Sequence, residues 1–436
     1  MKGIHVNVTV TTNSWGNWAG TASARPREIA APSGVDELAD LITRTRQRDG
    51  RVKAVGSGHS FTAIAAAADV LVRLDDYRPP PVVDTSTGEV TVSAGITLKA
   101  LNQLLAANGL AMPNLGDIDA QTLAGATATG THGTGARLGG LATFISAVTL
   151  VDGTGTVRRF TREDPELNAV AINLGALGIV TDITLRCVPA FQLHADERPM
   201  PIQQVLEEFD TLAADNDHFE FYWFPGADRA LVKRNNRDGQ GGRLSRFRGW
   251  VDDELLSNQV FGLMCRLGRA VPRLVPAVTA ISARALSARN YADRSDAVFC
   301  TPRKVRFVEM EYAVPRAAYA DAFDGLRRAA NRHRVIFPVE VRVAAADPLW
   351  LSTAHDRDSA YFAVHQFQGM PYLDYFAEVE AVMRDLGGRP HWGKLHTRAV
   401  ADLGTDYPRM ADFIALRDRL DPDRIFTNPY LQRVLG

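Results

Sequence analysis

Several short stretches of this chain hold residue types that do chemistry. Val55-Gly56-Ser57-Gly58-His59-Ser60-Phe61 follows a short apolar run, Val52 to Val55. Its glycines can take positive φ and leave backbone N–H groups uncovered, so the turn can hold an anion without a cationic side chain while presenting an imidazole. An ordinary strand-to-loop turn with an exposed histidine would have the same sequence. Far downstream, Val339-Glu340-Val341-Arg342-Val343 alternates with period two, which sets Glu340 and Arg342 on one strand face and the valines on the other. A carboxylate and a guanidinium then stand side by side, either in a site or on the solvent face of a half-buried sheet. His365 shares a strand face with Tyr361 and Phe367. It is a packing residue or, because its ordinary pKa lies near working pH, a group that takes a proton. His391-Trp392-Gly393-Lys394-Leu395-His396 places a lysine in unusual company. No fixed tetrahedral set accompanies His391 and His396, so no metal is expected.

A second glycine-rich segment changes the weight of the first. Leu115-Gly116-Asp117-Ile118-Asp119-Ala120-Gln121-Thr122-Leu123 runs into Ala124-Gly125-Ala126-Thr127-Ala128-Thr129-Gly130-Thr131-His132-Gly133-Thr134-Gly135. Small residues over such a span let the backbone approach a flat ligand, with hydroxyls and amides as hydrogen-bonding groups. A flexible linker would not be flanked by apolar secondary structure on both sides. A Rossmann fingerprint lacks its third glycine, since Phe61 stands there, and no Walker lysine motif is present.

These segments need elements to position them. Val35, Leu38, Leu41 and Ile42 have helical spacing behind Ser33-Gly34; Val52 to Val55, Val70 to Leu74 and Glu89 to Ala94 read as strands. Thr97 should start a helix that buries Leu98, Leu101, Leu104 and Leu105 and stops at Asn108-Gly109. Phe144 to Val151 and Val157 to Phe160 read as a hairpin, and Asn173 to Val180 leads into a strand ending at Cys187-Val188-Pro189. Beyond Pro189 glycine thins out, and long helical patterns alternate with aromatic strands such as Phe219 to Phe224. Asn235 to Ser245 reads as a polar surface loop. Arg266 to Arg289 mixes arginines with apolar residues; an amphipathic membrane-surface helix would fit, but Pro272 and Pro276 interrupt it, so a domain-surface helix with solvated arginines is expected.

The chain has 436 residues, which favours two or three domains, with 46% hydrophobic and 23% charged residues and a net charge of −1. That balance favours neither nucleic acid nor a membrane as partner. Met1 to Thr12 has no apolar core of a secretory signal, and three scattered cysteines, Cys187, Cys265 and Cys300, suit a reducing cytoplasmic setting.

Val-Gly-Ser-Gly-His-Ser at 55–60, Ala-Gly-Ala-Thr-Ala-Thr-Gly-Thr-His-Gly-Thr-Gly at 124–135, Gly-Ala-Leu-Gly-Ile-Val at 175–180 and His-Trp-Gly-Lys at 391–394 together resemble the aldonolactone oxidoreductases. These are flavoproteins of the vanillyl-alcohol-oxidase type, with a PCMH-type FAD-binding domain. They include gulonolactone, galactonolactone and arabinonolactone oxidases or dehydrogenases and bacterial alditol oxidases. The likeness runs over nearly the whole chain from Trp15-Gly16-Asn17-Trp18 and is greatest to bacterial gulonolactone dehydrogenase-like members. It implies an α+β fold: a two-subdomain FAD-binding domain over residues 14–189 and a C-terminal α+β cap over 190–436, whose tail from about 395 folds back near the flavin domain. It implies FAD tethered covalently through His59, with Gly56, Ser57, Gly58 and Ser60 around the pyrophosphate. Gly116, Asp117, Gly125, Thr129, Thr131, His132 and Gly135 would follow the ring and ribityl chain, and Ile179 and Val180 the adenosine half. Glu340 and Arg342 would grip the substrate hydroxyls, Arg342 also meeting developing oxygen charge. His365 would help take the hydroxyl proton, and Lys394 would stand at the flavin N1 edge. The implied partners are a sugar lactone or polyol and oxygen or another electron acceptor; Gly116 occupies a position where a small residue leaves oxygen a path. A flavin-fold protein that binds without turnover would have no need of Glu340, Arg342 and Lys394 together.

Overall fold

A computed structural model of the chain describes residues 13–243, 258–301 and 304–436. Met1 to Thr12 and the end of the polar run, Leu244 and Ser245, lie outside the described residues.

In the first half, three short parallel strands, β1 (Glu28–Ala30), β2 (Val52–Ala54) and β3 (Val70–Val72), pair in the order β1-β3-β2. Helix α1 (Val35–Arg46) covers them by burying Leu38, Leu41 and Ile42. Behind lies an antiparallel sheet of β4 (Val82–Asp84), β5 (Glu89–Ser93), β6 (Ile145–Val151), β7 (Val157–Thr161) and β8 (Ile179–Arg186), ordered β7-β6-β8-β5-β4. Helix α2 (Leu98–Ala107) begins where expected, because the Thr97 hydroxyl accepts from the Ala100 N–H and caps it. It buries Leu98, Leu101, Asn102 and Leu105, while Leu104 is only half-buried. Helix α3 (Leu123–Ala128) carries the small-residue segment and is capped in the same way by Thr122.

The second half is built on an eight-stranded antiparallel sheet of β9 (Gln192–Pro201), β10 (His218–Trp223), β11 (Arg229–Asn236), β12 (Arg289–Arg294), β13 (Phe307–Pro315), β14 (Val339–Ala344), β15 (Ser359–Phe367) and β16 (Arg389–Pro390). Its order is β12-β9-β11-β10-β14-β15-β13-β16. Asn235 and Asn236 therefore end a strand and do not begin the polar loop. Helix α4 (Phe261–Ala270), a short 3₁₀ turn at Pro272–Leu274 and α5 (Val275–Arg284) replace the single long helical pattern, broken at Pro272 as the sequence suggests. Helices α6 (Tyr319–Arg332) and α7 (Leu373–Asp385) cover one sheet face. There Phe219, Phe221, Trp223, Val308, Met310, Tyr312, Val339, Val341, Val343, Phe362 and Val364 form a core with Phe323, Leu326, Tyr375 and Val379. The opposite face is left for the polar residues of those strands.

The last three helices, α8 (Val400–Asp406), α9 (Met410–Leu420) and α10 (Pro429–Leu435), return to the first half. Leu403, Tyr407, Phe413, Leu416, Tyr430 and Leu431 pack in its main core, and Ile425 and Phe426 in the core beneath β2 and β3.

Candidate active site

A narrow slot of about 130 Å³ runs through the first half and meets a chamber of about 380 Å³ beneath the polar face of the large sheet. His59, Ser60, Gln121 and Thr129 line both and mark the junction.

Slot geometry follows from its backbone. Gly58 has φ +69°, a conformation that favours glycine, and a Cβ on Gly56 would lie 2.0 Å from Thr122 Oγ1, so the two glycine-rich segments are pressed together. Among the described residues, no protein acceptor takes a hydrogen bond from the backbone N–H groups of Gly56 to Ser60. Gly125 and Thr129 line the slot beside them, and Ile179 and Val180 give its far end an apolar wall. A row of uncommitted amides followed by an apolar end suits a pyrophosphate and a nucleobase, which is the donor set FAD requires.

The loop is clasped from both ends of the chain. Trp18 N–H donates to Gly58 O (2.8 Å), Asn17 Nδ2 donates to Ser60 O (2.9 Å), and Trp18 stacks on His59. From the other side Phe61 N–H donates to Gly393 O (2.6 Å), so the His-Trp-Gly-Lys motif docks on the glycine loop. Burial, assisted by the nearby Lys394 charge, lowers the His59 pKa and keeps its ring neutral.

Gly116, Asp117, Thr131 and His132 line the chamber. His132 is buried, its Nε2 3.1 Å from Glu311 Oε1, and its ring lies against Tyr361. Gly135 lines neither space: its N–H donates to Val343 O (2.9 Å), and it joins the small-residue segment to β14.

Strand register brings Glu340, Arg342 and His365 to one sheet face. Tyr222 pairs with Glu340, which pairs with Ala363, which pairs with Glu311; one row further, Glu220 pairs with Arg342 and Arg342 with Tyr361; on the other side, His365 pairs with Glu309. Residues directly opposite one another share a sheet face. Arg342 stands among three carboxylates: it contacts Glu340, its Nε donates to Glu220 (2.8 Å), and Asp117 lies 3.6 Å away. Lys233 lies 3.6 Å from Glu220, and the Tyr222 hydroxyl donates to Glu340 (2.8 Å). Arg342 and Lys233 thus face the buried pair Glu220 and Glu340, with the half-buried Asp117 beside Arg342. Burial opposes ionisation of Glu220, but Arg342 and Lys233 outweigh it and hold its pKa low. Glu340 goes the other way: burial, with the Asp117 and Glu220 charges adding, pushes its pKa up to about 7 against the pull of Arg342.

Lys394 belongs to a second cluster. Its ammonium contacts Glu309, and His365 Nε2 lies 3.6 Å from the same carboxylate. His365 Nδ1–H donates to Pro338 O (3.0 Å), which fixes the ring. Burial opposes the charged forms of His365 and Lys394, but Glu309 outweighs it and raises both pKa values.

Residues 183–434 match the D-arabinono-1,4-lactone oxidase family, and residues 26–161 match the FAD binding domain. This chain belongs to the aldonolactone oxidoreductase family. It is 42% identical to L-gulono-1,4-lactone dehydrogenase of Mycobacterium tuberculosis over 97% of this chain and 99% of that one. It is 34% identical to L-gulonolactone oxidase of Scyliorhinus torazame, over 96% and 97%. Among solved structures, cholesterol oxidase from B. sterolicum superposes with a TM-score of 0.85 at 18% identity over 97% of both chains, a likeness of fold. The fold is that of the vanillyl-alcohol-oxidase type, an FAD-binding part followed by an α+β cap, and the aldonolactone oxidoreductases are FAD-linked enzymes acting on CH–OH groups.

For a member of this family, the residues that sequence reasoning missed are Glu220, Tyr222, Glu309, Glu311, Lys233 and Ser282. Four of these carry the same signal as the Glu340–Arg342 pair: Phe219, Phe221 and Trp223 alternate with Glu220 and Tyr222, and Val308, Met310 and Tyr312 with Glu309 and Glu311. Ser282, on α5, gives no such signal. Ser282 lines the chamber, and among the described residues its buried hydroxyl has no hydrogen-bond partner.

Proposed function

We propose that this enzyme oxidises a hydroxyl-bearing carbon of a sugar-derived aldonolactone of the gulono- or arabinono-1,4-lactone type, held in the chamber beneath Glu340 and Arg342. The observation that carries the reading is Glu340: a buried carboxylate whose pKa is pushed up to about 7, facing a chamber that shares its mouth with the slot suited to FAD. When bound, FAD supplies the acceptor for the hydride that leaves the carbinol carbon. Glu340 accepts the hydroxyl hydrogen bond and takes the proton. Arg342, fixed by Glu220, neutralises charge that develops on the oxygen. His365, whose pKa Glu309 raises, stands beside Lys394, and the base role passes to Glu340. Lys394 provides positive charge at the flavin edge.

His59 is the covalent anchor in this reading; support comes from its place at the mouth of the slot and its neutral ring. The division at residue 189 also belongs to it, since the neighbouring strands on either side join different sheets. Three unpaired cysteines are in keeping with a cytoplasmic setting. The test is anaerobic mixing of the purified protein with a panel of aldonolactones and alditols, watching flavin absorbance, followed by air. Rapid bleaching by a lactone is expected, and recovery in air would identify oxygen as an acceptor. Bleaching by alditols alone would reassign the substrate class.

A further inference from the structure

We propose that the outer face of α4 and α5 is a docking surface for an anionic lipid bilayer. Among the described residues, six of the ten exposed large apolar side chains fall between Val260 and Ile281, so the exposure is concentrated in one place. Helix α4 turns Gly262, Cys265 and Gly268 to the core, and α5 turns Val275, Val278 and Thr279. The opposite faces therefore point outward, and they carry Leu263 (64% exposed), Leu267 (48%), Leu274 (38%) and Ile281 (56%). Water is a poor partner for a contiguous set of this kind, and such patches mark interaction surfaces.

Charge decides the partner. Arg266, Arg269, Arg273 and Arg284 are exposed among these apolar residues, and no Asp or Glu occurs from Asn258 to Ala292. In a chain of net charge −1 this is a strong local excess. A second copy docked about a twofold axis would bring the arginines of the two chains together without counter-charges. A bilayer with acidic headgroups takes the aliphatic side chains at its acyl boundary and the guanidinium groups at the phosphates, the arrangement of interfacial amphipathic helices. The proline break at 272 lets two short helices lie on that plane. Their other sides, through Phe261, Met264 and Ser282, wall the chamber, so docking would hold the chamber about one helix diameter, roughly 10 Å, from the lipid.

The test is co-sedimentation of the flavin-loaded, full-length protein with vesicles of phosphatidylcholine alone and of phosphatidylcholine with phosphatidylglycerol. Binding is expected only to the mixed vesicles, with reversal in high salt. The doubles Leu267→Asp/Ile281→Asp and Arg266→Glu/Arg273→Glu should each weaken it by at least about tenfold. Flavin content and turnover in solution should be unchanged, since none of the four residues lines the chamber. No binding, equal binding to both vesicles, or binding unaffected by either double would overturn the proposal. A dimer in light scattering that the Leu267→Asp/Ile281→Asp double abolishes would also overturn it, assigning the face to a second copy.

Discussion

At the residue scale, His59 and Glu340 are opposite cases of what burial does to a titrating group. Burial lowers the pKa of one and raises that of the other, because in each it disfavours the charged form. The result is a neutral imidazole where a bond to carbon needs a free nitrogen lone pair, and a carboxylate that exchanges its proton near neutrality. If His59 is the flavin anchor, acid-precipitated protein keeps its yellow colour, and His59→Ala releases all colour to the supernatant. Complete release from the wild type would remove His59 from that role. The alternation around Glu340 and Arg342 recurs around Glu309 and Glu311. The first pair was singled out by family resemblance; the second had only the alternation, which fits any half-exposed strand until the partner strands are known.

At the scale of elements, four strands deliver the polar face, and their pairing joins residues far apart in sequence: Arg342 and Glu220 are 122 positions apart. Local periodicity assigns a residue to a face but does not say which strands lie beside it. The start of α2 was readable because Thr97 carries the cap in its own sequence, whereas the Thr122 cap that opens α3 went unread beneath the small-residue pattern. Within this face Glu309 serves both His365 and Lys394, so Glu309→Gln should lower the pKa of each. The same change removes one negative charge from the flavin side, and the flavin midpoint potential should rise by about 30 mV or more, the equivalent of roughly 1.4 kcal/mol for a two-electron couple. Spectroelectrochemistry of the loaded protein reads this directly. An unchanged potential would place the pair too far from the flavin to matter.

At the scale of the whole molecule, the chain closes on itself around the slot. Lys53, buried in the middle of the edge strand β2, donates to Gly175 O (2.8 Å) and to Phe426 O (3.0 Å), joining the strand, the Gly-Ala-Leu-Gly loop and the C-terminal segment. Burial lowers its pKa to about 7, against the partial support of Asp421. The unfolded chain, with an ordinary lysine, therefore binds more protons than the folded one between about pH 7 and pH 10. Stability should rise with pH across that window, at up to about 1.4 kcal/mol per unit from this group. Lys53→Met should flatten that rise in thermal melts, and an identical slope would contradict the assignment. Neither this clamp nor the return of the tail could be derived from spacing; the tail's position came from family resemblance, and Lys53 looked like one more residue in a short strand. The central claim is that oxidation occurs beneath Glu340, and the most direct measurement is the rate of anaerobic flavin bleaching by L-gulono-1,4-lactone against pH, in wild type and Glu340→Gln. The account predicts a wild-type rate that climbs with pH through about 7 as Glu340 ionises, and in the variant a rate about a hundredfold lower or less, without that limb and with the flavin spectrum intact. A variant that bleaches at the wild-type rate, or a wild type that no lactone bleaches, would contradict it.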